Sequence, residues 1–197
     1  MIKAIRQLFR PRADRPSAAI PPGERVYAIG DIHGRLDLFA ALAQAIEADD
    51  AARGPADTTV ILLGDLVDRG PDSAGVVESA RAWQQQRRVR ILAGNHEEMF
   101  LASLQKVASL RHFLKFGGYE TALSYPVDPV AFRSAELEEA QDLLARAVPD
   151  DDLAFIRGLE DSIVVGDYLF VHAGIQPGVP LAEQSLHELR WIREPFL

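Results

Sequence analysis

The segment Thr58–Gly70, "TTVILLGDLVDRG", decides the fold of this chain. A continuous apolar run rich in β-branched residues is typical of a parallel strand that is covered on both faces. The run stops at a glycine, which lets the backbone turn sharply, and two aspartates and an arginine follow. The segment therefore predicts a buried strand that ends in a loop of charged side chains.

The same arrangement occurs twice more, in "RVYAIGDIHG" (25–34) and "VRILAGNHEE" (89–98). Apolar residues at helical spacing separate the three strands, so the order is strand and helix three times over. This alternation predicts an α/β domain with a parallel sheet. We expect a helical excursion over 110–158, with a Gly-Gly turn at 117–118. "SIVVGDYLFVHAG" (162–174) predicts a hairpin that turns at Gly166 and Asp167.

Composition limits the classes of protein to which the chain can belong. It has 197 residues, 48% of them hydrophobic, a formal net charge of −8 and no cysteine. We expect one domain over 24–197, after a basic tail and proline-rich linker over 1–23. The lack of cysteine excludes disulfides, thiolate metal sites and a cysteine nucleophile, and fits a cytoplasmic protein. Without a basic stripe or an apolar run of about 20 residues, we expect no nucleic-acid partner and no stable membrane insertion.

Polar side chains follow every predicted strand, and ligands bind at the carboxyl ends of strands in open α/β sheets. Oxygen and imidazole ligands without sulfur suit Mn²⁺, Fe or Zn²⁺. There are too many of them for one ion, which favours two ions about 3.5–4 Å apart with a shared carboxylate. The side chains expected to converge are Asp31, His33, Asp65, Asp68, Arg69, Asn95, His96 and His172.

The motifs "GDIHG", "GDLVDRG", "GNHEE" and "VHAG" together resemble the calcineurin-like metallophosphoesterases. Within them the chain resembles the phosphoprotein phosphatase family of the bacterial and bacteriophage lambda type. The resemblance implies a β-sandwich flanked by helices. Members carry a further histidine in a "GHTP"-like motif that does not occur here before Leu197. We therefore expect this chain to lack the C-terminal strands and one ligand of the second metal, with weaker binding there.

The resemblance also implies a role for each matching residue. Two divalent metals, with Mn²⁺ expected and Fe or Zn²⁺ as alternatives, would be bound by Asp31 and His33, by the bridging Asp65, and by Asn95 and His172. His96 would be the general acid and Asp68 would orient it. Phosphate would be bound by Arg69, by Asn95 and by Arg193 of "LRWIREPF" (189–196).

The function that this resemblance implies is a serine/threonine protein phosphatase. A hydroxide bridging two cations would attack phosphorus in line, since a metal can lower the pKa of bound water to about 7. Asp68 in "VDRG" and Glu97 in "GNHEE" favour a phosphorylated protein as substrate. The alternative is a symmetrical dinucleoside tetraphosphate hydrolase, whose members typically show "VARG" and "GNHD", and which would take a small phosphoester substrate. The second alternative is a catalytically weak metal-binding domain that docks phosphoproteins.

Several other polar residues are expected to be structural. His112 and His187 lie outside the strand-end motifs, so we predict surface or structural roles for both. Glu97 and Glu98 follow the third strand directly. For these two carboxylates, helix capping is favoured over a place beside the metals.

Overall fold

The computed structural model describes residues 17–194 and Phe196; most of the predicted basic tail, residues 1–16, lies outside this range. Three parallel strands, β1 (Glu24–Ile29), β2 (Asp57–Leu62) and β3 (Val89–Ile91), form a sheet in the order β1-β2-β3. In its register Ala28 pairs with Ile61, and Ile61 pairs with Arg90. The predicted parallel sheet is therefore confirmed.

Helices follow each of these strands: α1 (Leu36–Ala52), α2 (Ser73–Gln86) and α3 (Asn95–Ser103). The Asp72 side chain caps α2 by accepting a hydrogen bond from the backbone N–H of Gly75. Phe39 of α1 and Trp83 of α2 pack edge to face, with ring centroids 5.9 Å apart. These helices cover one face of the sheet.

Strand β2 shows how the sheet is buried on both faces. Val60 and Leu62 belong to the large core that the helices cover, whereas Ile61 packs with Leu92 and Ile163 on the other side. This alternation follows the two-residue period of a strand. Ile163 belongs to a second, antiparallel sheet, β4 (Ile163–Val165) and β5 (Tyr168–Phe170), which turns at Gly166 as predicted. Two packed sheets with helices outside match the expected fold class.

The predicted helical excursion is present, beginning at Val107, three residues before the expected start. The Gly-Gly pair does not form a separate turn, because the chain continues as a wide helical turn, Leu114–Gly118. Gly117 has a φ of 106° and kinks the helical run there. Phe100 of α3 stacks on Phe113 and Tyr125, and this joins the region to the core. Its helices are α4 (Val107–Phe113), α5 (Tyr119–Ser124), α6 (Pro129–Ser134), α7 (Leu137–Ala147) and α8 (Asp150–Arg157).

The last elements return the chain to the end of the sheet. A short 3₁₀ turn (Leu181–Glu183) precedes α9 (Leu186–Trp191), and the backbone N–H of Ala173 donates to the carbonyl of Leu189. This bond fixes α9 beside the loop that carries His172. Within residues 17–194, none of the helices combines the length and apolarity that crossing a bilayer requires.

Candidate active site at the strand ends

The loops after β1 and β2 are joined by backbone hydrogen bonds. The N–H groups of Ile32 and His33 both donate to the carbonyl of Asp65, and Gly34 N–H donates to Leu66. In the described part of the chain, the non-glycine residues with positive φ all lie in these loops: His33, Asp65, Asp68 and Arg69. Such conformations cost free energy and persist only where the surroundings enforce them. The strand-end loops are thus held in one strained arrangement.

The side chain of Glu97 holds much of this strained loop backbone in place. Its buried carboxylate accepts hydrogen bonds from the backbone N–H groups of Asp65, Leu66, Val67 and Gly94, at 2.7–3.3 Å. Burial and the nearby charge of Asp65 raise the pKa of Glu97 to about 6, while the backbone hydrogen bonds favour its charged form. The expected capping role is present, in the bond from Gly94. The same side chain also ties α3 to the loop after β2.

Two imidazoles are oriented for metal binding by the backbone. Nδ1 of His33 lies 2.8 Å from the Val67 carbonyl oxygen, and Nδ1 of His172 lies 2.7 Å from that of Leu63. If each Nδ1–H donates to its carbonyl, the Nε2 lone pair faces Asp65, at 3.6 Å for His33 and 3.4 Å for His172. This outer support is typical of metal-binding histidines. Burial lowers the pKa of His33, which keeps that ring neutral and able to bind a cation.

The donor atoms fit divalent cations. Ligand atoms of Asp31, Asp65 and His172 lie within 4.8 Å of one another, and so do those of His33, Asp65 and His96. Asn95 joins the first group, because its Oδ1 is 3.0 Å from Nε2 of His172. Lone pairs of nitrogen and oxygen that face one another at such distances repel unless a cation lies between them. Asp65 belongs to both groups, as a bridging ligand would.

His96 belongs to a different hydrogen-bond chain. Its Nδ1 lies 2.6 Å from Oδ2 of Asp68 and both side chains are buried. The hydroxyl of Thr121 donates to Oδ1 of Asp68 at 2.6 Å. The backbone N–H of Asp68 in turn lies 2.8 Å from the Thr121 hydroxyl and 3.0 Å from that of Ser73. The carboxylate that orients His96 is therefore itself fixed from two sides.

These contacts determine where the proton lies. Burial by itself lowers the pKa of His96, but the hydrogen bond to Asp68 and the charges of Asp65 and Asp68 outweigh it, so the net pKa is raised. Burial raises the pKa of Asp68, and its bonds to His96 and Thr121 oppose that shift. We place the proton on His96, because Asp68 already accepts the Thr121 hydroxyl. This pairing is the arrangement that a general acid needs.

Arg69 lies between His33 and His96. Its Nη1 is 2.6 Å from Nε2 of His33, and its Nη2 is 3.0 Å from Nε2 of His96. The backbone N–H of Arg69 donates to the carbonyl of Gly117, so the helical region contacts the site here. A Cβ on Gly117 would lie 2.7 Å from Cγ of Arg69, which explains the need for glycine.

The structure thus brings together every predicted site residue except Arg193. Arg193 is exposed, and its Nη1 donates to the carbonyl of its neighbour Ile192. Its phosphate-binding role stays a prediction. Arg190 is the arginine of this segment that reaches α3, with Nη1 3.0 Å from Glu98, and it also pairs with Asp161.

Sequence reasoning missed Thr121, Ser73 and Arg190. Thr121 lies 53 residues beyond Asp68 in a segment without a motif, so only the folded structure brings the two together. For Glu97 the carboxylate was predicted to cap its own helix. Its three bonds to the loop after β2 follow from the packing of α3 against that loop, which no local spacing reveals.

Comparisons with known proteins identify relatives of this chain. A relative in Acidovorax ebreus (strain TPSY), named a symmetrical bis(5'-nucleosyl)-tetraphosphatase, is 31% identical over 156 residues. That match covers 77% of this chain and 44% of the relative. A protein of the same name in Yersinia pestis (strain Pestoides F) is 42% identical over 76 residues, which are 39% of this chain and 24% of that protein. The chain therefore spans less than half the length of these relatives.

Solved structures share the fold. A candidate diadenosine tetraphosphatase matches with a TM-score of 0.55 and 23% identity, over 87% of this chain and 60% of that one. A cold-active protein-tyrosine phosphatase from a Shewanella species matches with a TM-score of 0.53 and 22% identity, over 91% of this chain and 55% of that one. A family model described as calcineurin-like phosphoesterase matches residues 24–196. With the two groups of ligand atoms and the paired histidine at its strand ends, this chain belongs to the calcineurin-like phosphoesterase family.

Proposed function

We propose that this phosphoesterase is a metal-dependent hydrolase of dinucleoside polyphosphates, which cleaves a phosphoanhydride bond of a symmetrical bis(5'-nucleosyl)-tetraphosphate. The observation that carries the proposal is the 31% identical relative of that name, whose match covers 77% of this chain. The match is 156 residues long. The chain spans only 44% of that relative. The substrate in the relative's name is therefore a proposal for this chain, and the residues of the chain itself must also support it.

The sequence favoured a phosphoprotein phosphatase because of Asp68 and Glu97, and the comparisons favour the dinucleotide alternative instead. The structure gives a physical reason why these two residues discriminate poorly. Asp68 orients His96, and Glu97 holds backbone N–H groups of two loops. Both side chains are engaged with groups of the chain itself, so neither distinguishes one phosphate carrier from another. The buried Asp68–His96 pair, which suits protonation of an alkoxide, keeps a phosphorylated serine or threonine as the second candidate substrate.

The residues present can hold two divalent cations, through Asp31, His33, Asp65, Asn95 and His172. When bound, such ions would supply an activated water and neutralise charge on the phosphoryl oxygens. Mn²⁺, Fe²⁺ and Zn²⁺ all suit these ligands.

The remaining chemistry belongs to side chains of the chain itself. Arg69 offers a planar fork of donors to phosphate oxygens, and its position between His33 and His96 puts that fork at the centre of the site. Asp68 holds the His96 ring by Nδ1, which leaves Nε2 to give a proton to the leaving oxygen. A nucleotide is a weaker base than an alkoxide and depends less on this proton.

The test compares kcat/KM of the full chain on diadenosine tetraphosphate and on a phosphothreonine peptide, with each of the three metals. We expect faster cleavage of the dinucleotide, and loss of both activities in Asp65→Asn, which removes one charge from the shared ligand. If phosphate is released faster from the peptide, a phosphorylated serine or threonine becomes the favoured substrate. A chain that binds Mn²⁺ yet hydrolyses neither substrate nor p-nitrophenyl phosphate would be the docking domain.

A further inference from the structure

A cleft of about 270 Å³ lies between α3 and α4, outside the groups that take part in the proposed chemistry. Its lining side chains are mostly apolar or small, with one carboxylate and one imidazole among them. Clefts somewhat larger than this bind whole small ligands, so this one is sized for part of a ligand. The lining residues are Glu98, Met99, Ala102, Ala108, Ser109 and His112.

One wall of the cleft begins at the metal-binding residues. Glu98, Met99 and Ala102 follow Asn95 at intervals of three, four and seven residues, which places all four on one face of α3. A helical turn rises about 5.4 Å. The cleft therefore starts about one turn along the helix from Asn95.

The opposite wall leads back to the phosphate-binding arginine. The rings of His112 and Phe116 lie 4.5 Å apart, tilted by 46°, and the Phe116 side chain is 44% exposed. The next residue, Gly117, accepts the backbone N–H of Arg69. Each wall is thus connected along the chain to the site, one through Asn95 and the other through Gly117, which bonds to Arg69.

We propose that this cleft binds a nucleobase of the substrate, an inference that rests on the proposed function. A flat aromatic ring can stack on the exposed His112 ring, which lines the cleft and is flanked by Phe116, as bases stack on aromatic side chains elsewhere. Ala102 and Ala108 leave room for its thickness, and Met99 gives it a polarizable apolar surface.

The polar groups at the rim suit the edge of a base. Glu98 accepts hydrogen bonds from Arg190 at 3.0 Å and from Trp191 at 3.4 Å, one on each oxygen. Each carboxylate oxygen can accept another, so Glu98 can take an exocyclic amine. Ser109 adds a hydroxyl that donates or accepts. Adenine, with one exocyclic amine and ring nitrogens, meets these requirements.

The test measures binding of ADP and of inorganic pyrophosphate to the Mn²⁺-loaded full chain by calorimetry. The two probes share a diphosphate but differ in charge as well as in the nucleoside, so the contribution of the nucleoside is measured as the change in their affinity ratio between the wild type and the cleft variants. We expect ADP to bind about tenfold more tightly, within the range that stacking of one base supports. The double variant His112→Ala with Phe116→Ala should abolish this difference and leave pyrophosphate binding unchanged.

Two further variants keep the result decisive. Tyr168→Ala removes an exposed aromatic ring from β5 and should retain the ADP preference. Ala102→Phe fills the cleft without removing a stacking ring and should abolish the preference, which covers the case in which the double variant does not fold. Equal affinity of the wild type for both probes, or an ADP preference that survives both cleft variants, would overturn the inference.

The same variants separate this inference from the proposed function. If the wild type prefers ADP but does not cleave diadenosine tetraphosphate, the substrate assignment fails and the cleft remains a base subsite. If it cleaves the dinucleotide and the cleft variants keep the same KM, the cleft assignment fails and the proposed function remains.

Discussion

The strand-end loops and the helical region of residues 107–157 are ordered by opposite means. In the described chain the four non-glycine residues with positive φ lie in the loops after β1 and β2, where Glu97 and Thr121 hold the backbone by hydrogen bonds. The helical region is instead ordered by burying side chains such as Leu110, Phe113 and Leu144. The comparison teaches that backbone strain is concentrated in the loops proposed to form the active site, and that apolar packing elsewhere offsets it.

His96→Asn should give the largest effect, because it tests the proton donor in the loops. We expect kcat to fall about 10²–10⁴-fold on substrates with a basic leaving group, the usual contribution of a general acid. The free energy of unfolding should change by much less than the activation free energy that corresponds to this loss of kcat. Steady-state kinetics and a denaturant titration measure the two quantities. His187→Asn, at an exposed histidine of α9, is the matched control; an equal loss there would show that the effect is not specific to His96.

Leu144→Ala, in the helical region, should have the opposite effect: a large loss of stability with little change in kcat. Leu144 is fully buried, so its truncation leaves a cavity and should lower the free energy of unfolding by about 2–5 kcal/mol. The kcat of the remaining folded protein should stay close to that of the wild type. Val130→Ala, on the exposed part of α6, should change stability by less than about 0.5 kcal/mol. A large loss of kcat in Leu144→Ala would end the distinction between the two regions.

Gly117→Ala tests the one place where the helical region contacts Arg69. An alanine at a φ of 106° is strained, and its Cβ would lie 2.7 Å from Cγ of Arg69. We expect kcat/KM to fall about 10- to 100-fold, since small displacements of binding groups have such effects. Gly54→Ala is the matched control, because Gly54 has a φ of 80° with no atom within 4 Å of an added Cβ. If both variants lose activity equally, backbone strain alone explains the loss.

Thr121→Val should give the smallest effect. It removes the hydroxyl that donates to Asp68 at 2.6 Å while keeping the shape of the side chain. We expect kcat on an alkyl phosphate to fall about tenfold, which corresponds to the free energy of roughly one hydrogen bond. On p-nitrophenyl phosphate the fall should be smaller, because its leaving group needs no proton. Thr121→Ser restores the hydroxyl and should recover activity. A loss that is the same for both leaving groups would mean that Thr121 supports the fold rather than His96.

The sequence was informative wherever local spacing reflects the fold. Apolar runs ending at Gly30, Gly64 and Gly94 located the three strand ends, and parallel topology alone then predicted that their polar residues converge. The hairpin at Gly166 was visible in the same way. These features depend on residues close together in the chain.

Other features could not be predicted because they depend on distant segments. The bonds from Thr121 to Asp68 and from Arg190 to Glu98 join residues 53 and 92 positions apart. The Gly-Gly pair was expected to form a turn, but helix packing on both sides keeps the chain helical and reduces the pair to a kink. The motifs alone also did not decide between the two substrate classes, because Asp68 and Glu97 bond to groups of the chain itself.

The bond between Gly117 and Arg69 bears on how such a protein can diversify. The helical region meets the loop after β2 through the Gly117 carbonyl, which accepts from Arg69, and through the Thr121 hydroxyl, which donates to Asp68. Residues 107–116 supply neither of these groups, so their side chains can change while both contacts stay as they are. For an engineer, exchanging side chains within residues 107–116 is therefore a way to vary the proposed base subsite and leave the strand-end loops intact.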